Sequence, residues 1–192
     1  SLAEQLSTTL PGSYPVLCKT PLGFISNEVM LFFPLLFEQL NIKAQFPLRL
    51  RPETEQELAI RLWKPQLSHQ NFLKSDTSES RFVRDTLDLL QLAGAAGIPT
   101  EDIETILDQG LGDLESFPGD SPQFRGQLLL EWRQWCLERG LLTYGLIYEL
   151  YWRYLLPNPK YQSYLTQRYQ AIFADDVDDY PAIAADLGTL LL

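Results

Sequence analysis

Histidine and cysteine are almost missing from this 192-residue chain: His69 stands alone, and Cys18 and Cys136 are the two cysteines. A lone histidine leaves Ser-His-Asp and histidine–metal chemistry without partners. Two distant cysteines make neither a disulfide framework nor a zinc site. Basic residues are scarce too, 15 against 25 acidic, for a net charge of −10. That balance lacks the electrostatic footprint of an autonomous nucleic-acid binder. The best basic cluster, Lys43, Arg49, Arg51, Arg61 and Lys64, is interrupted by Glu53, Glu55 and Glu57. No apolar run approaches the roughly 18 residues of a membrane span. The polar start, Ser1 to Thr9, has no basic leader region. No membrane partner and a cytoplasmic location are therefore expected. A Gly-x-x-x-x-Gly-Lys-Ser/Thr phosphate loop is also missing; the glycine-rich tract over 92–97 has no lysine after it.

Apolar and aromatic residues are abundant, at 45% and 12% of the chain, enough for one well-packed domain. Their spacing is mostly helical. Ser26 or Asn27 can cap an almost wholly apolar helix over 28–40, kinked at Pro34. Residues 46–50 alternate as a short extended connector. Pro52 opens a helix over 53–63, with Leu58, Ala59, Leu62 and Trp63 on one face. The polar tract over 66–80 reads as a surface loop. A helix over 82–96 ends near Gly97, Thr100 caps the next, and Gly110 and Gly112 close it. Residues 113–122 form a Pro- and Gly-rich loop. A long helix over 123–139 buries Leu128, Leu129, Trp132, Trp135 and Cys136. Thr143 caps another reaching Leu155, and a short one covers 161–169. The expected fold class is mainly α, a multi-helix domain over 1–168 followed by a strand-turn-helix unit over 169–192.

That last unit carries the most specific pattern. Ala171, Ile172, Phe173 and Ala174 read as a strand over 170–174 that stops at Asp175, Asp176, Asp178 and Asp179, before Tyr180 and Pro181 turn into a new apolar stretch. A buried strand ending in adjacent carboxylates is how nucleotide hydrolases present magnesium: one carboxylate holds the ion's water shell and the next activates the attacking water. An EF-hand does not fit, because Tyr180 and Pro181 fall where an oxygen ligand and glycine are needed.

This segment resembles motif II (Walker B) of UvrD/Rep-type superfamily 1 DNA helicases, in which a buried strand runs into Asp-Glu-x-Gln-Asp and then a helix. Upstream, Leu142-Thr143-Tyr144-Gly145-Leu146-Ile147, Leu155-Leu156-Pro157-Asn158-Pro159 and Tyr164-Leu165-x-x-Arg168-Tyr169 follow at family-like spacing. Lys19-Thr20-Pro21-Leu22-Gly23-Phe24 is similar to motif Ib, with Leu22 in place of its histidine. The resemblance implies a piece of a larger protein, from about motif Ib through the helical subdomain 1B to the Walker B edge of a RecA-like core. It implies magnesium coordination by Asp175 and activation of the hydrolytic water by Asp176. Asp179 is then suited to brace the following helix N-terminus. Asp176 stands where the family has Glu and Asp178 where it has Gln, so the first is one methylene short and the second cannot donate when ionised. Mg2+ and ATP are implied for the full-length parent, which would engage DNA. The isolated chain, without the phosphate loop, is expected to hold no cofactor, to be inactive and to bind DNA weakly.

Two other readings stand beside this one. An acidic helical module would dock a protein partner through an aromatic groove without nucleotide chemistry. A self-contained magnesium enzyme would need a second acidic cluster to complete its ligand set, and none stands out. Tyr144, Tyr148, Tyr151, Trp152 and Tyr154 crowd one helix among Leu146, Ile147, Leu150 and Leu155, the mark of core packing. Tyr144, Tyr148 and Trp152 are the candidates for stacking single-stranded bases should that helix be exposed.

Overall fold

A computed structural model describes residues 8, 16–40, 42, 46–69, 78–111 and 121–191. Of the loops expected over 66–80 and 113–122, residues 70–77 and 113–120 lie outside the described residues, while 66–69, 79–80 and Pro122 are helical. The architecture is mainly α: α1 (Pro21–Leu31), α2 (Phe33–Leu40), α3 (Pro52–His69), α4 (Glu79–Ala96), α5 (Ile103–Leu111), α6 (Pro122–Glu138), α7 (Tyr144–Leu150), α8 (Pro159–Arg168) and α9 (Ala182–Leu191). Two short strands, β1 (Leu48–Arg49) and β2 (Leu141–Leu142), pair in parallel and tie the start of α3 to the start of α7.

Helix starts follow local chemistry. Thr20, Ser78, Ser121, Thr143 and Asn158 each accept a backbone N–H two or three residues on, satisfying donors that the first turn leaves free. Thr20 thus opens α1, with Pro21 in the first turn. The break expected at Pro34 lies just before it, at Phe32, which separates α1 from α2. Gly97 closes α4 in the left-handed region, φ 74°. Several boundaries differ from expectation. Ser26 and Asn27, expected to cap a helix over 28–40, lie inside α1, which Thr20 opens at Pro21, and Gly110 lies within α5 and does not close it. The α3 helix runs through Pro65 to His69 because Leu67 is drawn into the core. Thr100 does not cap α5 through its side chain; its hydroxyl donates to Glu149 instead, 2.5 Å away.

Two hydrophobic cores share α7. Ile147, Tyr148 and Leu150 join Ile25, Val29, Phe33 and Leu36 in the first, with Tyr161 and Leu165 from α8 and Ile183 from α9. Leu146 joins Ala59, Trp63, Phe82, Leu90, Leu128 and Trp132 in the second. Trp132, Cys136, Leu128 and Leu129 are buried as expected, whereas Trp135 is only partly covered and stacks on Trp132. After Leu150 the backbone widens into a π turn, Tyr151–Leu155, before Pro157 and Pro159 end the run.

The strand expected over 170–174 is not formed. Residues 169–175 carry no regular secondary structure, and residues 170–178 are exposed, with Phe173 at 91%. The physical reason is the lack of a ladder. Among the described residues no backbone–backbone hydrogen bond engages 170–174, and a strand exists only by pairing with a neighbour.

Candidate functional site

The acidic turn sits where the sequence puts it, between α8 and α9, but on the surface. Asp175 accepts the backbone N–H of Asp176 at 3.1 Å. Asp176 occupies the left-handed region, φ 52° and ψ 46°, which a short side chain able to bond locally tolerates best. A single 3-10 turn, Val177–Asp179, then leads through Tyr180 and Pro181 into α9. Asp175 and Asp176 are therefore adjacent on a tight, exposed reversal and no longer the end of a buried strand. Among the described residues no group of three or more His, Cys, Asp or Glu is arranged to hold a metal ion. An ion at Asp175 would draw its remaining ligands from water, phosphate oxygens or groups outside these residues.

The aromatic candidates separate. Tyr148 is 7% exposed within the first core, so it cannot stack a base without unpacking α7, and the stacking assignment is corrected for it. Trp152 is half-buried against the same core, its indole N–H enclosed without a partner. Tyr144 is the most available of the three, half-buried, with the Arg49 guanidinium 5.7 Å from its ring centre. The helix carrying these rings is wrapped on both sides, so they form no continuous platform. No described helix is long and apolar enough to cross a membrane.

Three buried glutamates were missed by sequence reasoning. Glu149, 1% exposed, accepts from Thr100, from Arg133 Nε at 2.9 Å and from Arg153 Nη1 at 3.2 Å. Arg153 also pairs with Glu101, whose carboxyl it holds down to about 2. Glu28, 2% exposed, accepts from the Tyr161 hydroxyl at 3.1 Å and from Arg168 at 3.0 Å. Burial raises its carboxyl, with Tyr161 and Arg168 opposing. These groups clamp α8 onto α1, and Arg168 is the last residue of α8. Glu55, 9% exposed, is pushed up to about 7, first by burial; the Trp132 indole and Thr143 hydroxyl oppose the shift and Asp88 adds to it. A signal existed for each: Glu28 heads an otherwise apolar helix, Glu149 interrupts an aromatic one, and Glu55 lies four residues before Ala59 on the same face.

No family model, curated protein or solved structure matches this chain.

Proposed function

We propose that the chain is the helical part, resembling subdomain 1B, and the Walker B edge of a UvrD/Rep-like, ATP-dependent DNA-processing protein. One observation carries the reading. Ala171 to Ala174 form an apolar run that stands in water, with Phe173 at 91% and Ile172 at 48% exposure, and leads directly to two adjacent carboxylates. Burying side chains of this kind stabilises by roughly 1.5–3 kcal/mol each, so the run is suited to a sheet interior that the described residues do not supply. On this reading Asp175 holds magnesium and Asp176 positions the attacking water once the phosphate loop of the full-length protein brings ATP. DNA is engaged by the parent's other surfaces, since this piece carries a charge of −10.

The same exposed apolar run, followed by carboxylates, favours a second reading as a protein-docking segment of an interaction module. Hydrogen exchange separates the two. The helicase reading expects amides 171–175 to exchange freely in the isolated chain and to be strongly protected in the complete polypeptide, where neighbouring strands pair with them. Free exchange of these amides in the complete polypeptide, with protection gained only when a protein partner is added, removes the helicase reading in favour of the module.

A further inference from the structure

The three buried glutamates differ in one respect. Glu149 has Arg133 and Arg153, and Glu28 has Arg168. Glu55 has no cation among the described residues. Its near neighbours are the indole of Trp132 and the hydroxyl of Thr143, neutral groups that can donate toward a carboxylate but cannot neutralise it. A buried carboxylate is costly unless paired, and Glu55 lies against an open cleft. That cleft, about 240 Å³, lies where α3, α4 and α7 meet and is lined by Glu53, Glu55, Arg84, Leu87, Asp88 and Tyr144 among others. Three carboxylates face one guanidinium there, and Arg84 pairs with Asp85 at 3.6 Å. Arg49 lies against the ring of Tyr144, a lining residue, 5.7 Å from its centre.

We propose that this cleft is a binding site for a single organic cation, an alkylammonium or alkylguanidinium group, whose charge pairs with Glu55 and whose stem lies along Leu87 and Tyr144. The carboxylates do not converge with a third ligand as a divalent ion requires, whereas one carboxylate beside apolar and aromatic walls suits an ammonium or guanidinium. The cation could be a free small amine or a Lys or Arg side chain of a partner; the recognising chemistry is shared. Besides the lining groups and Arg49, the ionisable Cys136 thiol of α6 also feels the Glu55 charge. Protonated Glu55 is a poor partner and ionised Glu55 a good one, so binding draws the Glu55 titration downward and strengthens as pH rises.

The test is a titration of the chain with n-butylammonium and n-butylguanidinium at constant ionic strength, following the Gly145 and Gln91 amides by NMR. A third arm uses an end-blocked Lys/Arg peptide. Saturable shifts are expected, with affinity about tenfold higher at pH 8 than at pH 6, as follows from a carboxyl titrating near 7. Glu55→Gln should abolish them, and Asp88→Asn, at the exposed rim, should weaken binding severalfold. Glu57→Gln, an exposed change of the same net charge, should leave binding as it was. Peptide binding comparable to the small probes assigns the site to a partner's side chain; binding of the small probes alone assigns it to a free amine. No saturable shift at about 20 mM probe, Glu55→Gln or Asp88→Asn binding like the parent chain, an equal loss in Glu57→Gln, or a pH-independent affinity overturns the proposal.

Discussion

At Glu55 the pH dependence of stability runs opposite to that of most carboxylates. Its folded carboxyl titrates at about 7, above its ordinary value of 4.5. Between these limits the folded state binds the extra proton, so the contribution is full below about pH 4.5 and is lost as pH rises toward and past 7. The difference amounts to roughly 2–4 kcal/mol. Glu55→Gln is therefore expected to stabilise the chain by about that amount at pH 8 and by little at pH 4.5. Urea denaturation of both proteins at the two pH values checks it, and a pH-independent difference would contradict the burial argument. Glu149 is a structural hub instead, bonded to Arg133, Arg153 and Thr100. Glu149→Ala strands Arg133 in a largely buried site and is expected to cost about 3–5 kcal/mol, read from the denaturation midpoint. The apolar setting of Glu149 is visible in the sequence, whereas Glu55 stands in a polar run and shows only its four-residue spacing to Ala59. The partners of Glu149 are not visible, since Arg133 and Thr100 lie 16 and 49 residues from it.

Helices that cross closely set the next scale. At the α4–α7 crossing a Cβ on Gly145 would stand 2.7 Å from the Leu90 carbonyl oxygen, and one on Gly94 would stand 2.6 Å from that of Gly145. Both neighbours are backbone and cannot step aside. Gly145→Ala is expected to destabilise by about 1–3 kcal/mol or more. Gly110→Ala, in exposed helix with nothing within 4 Å, should stabilise by about 0.5–1 kcal/mol. Thermal melts of the two variants should shift in opposite directions; equal shifts would undo the close-crossing argument. Elements of this kind were largely legible. The cap at Thr143 and the stop at Gly97 follow from local chemistry that the sequence states directly, whereas the cap at Ser121 fell inside the stretch read as a loop. The strand at 48–49 was anticipated from alternation, but its partner at 141–142 was not, because two residues carry no periodicity. The strand over 170–174 was misread for a related reason: residue types report how well a segment suits a sheet, not whether a neighbour is there to pair with it. The burial of Tyr148 and Tyr151 agrees with the core packing that their helical spacing among leucines and isoleucine suggests, and it removes the stacking alternative for Tyr148.

At the scale of the whole molecule the described residues form an acidic helical body with two cores that share α7, and the proposed function rests on the exposed apolar run beside Asp175 and Asp176. A net charge of −10 and covered aromatics should keep single-stranded DNA affinity no tighter than the roughly 10⁻⁴–10⁻⁶ M of non-specific binding; nanomolar fluorescence anisotropy would contradict this. Without a phosphate loop, calorimetry of the chain with magnesium-ATP should register no micromolar binding. The central claim, that Asp175 and Asp176 form the Walker B edge of an ATP-dependent enzyme, is tested most directly in the complete polypeptide by steady-state ATPase assays of the wild type, Asp175→Ala and Asp176→Glu. The account predicts that Asp175→Ala abolishes magnesium-dependent hydrolysis and that Asp176→Glu, which restores the longer reach, preserves or raises it. An unchanged rate in Asp175→Ala would contradict it and leave the acidic turn as a solvated docking segment.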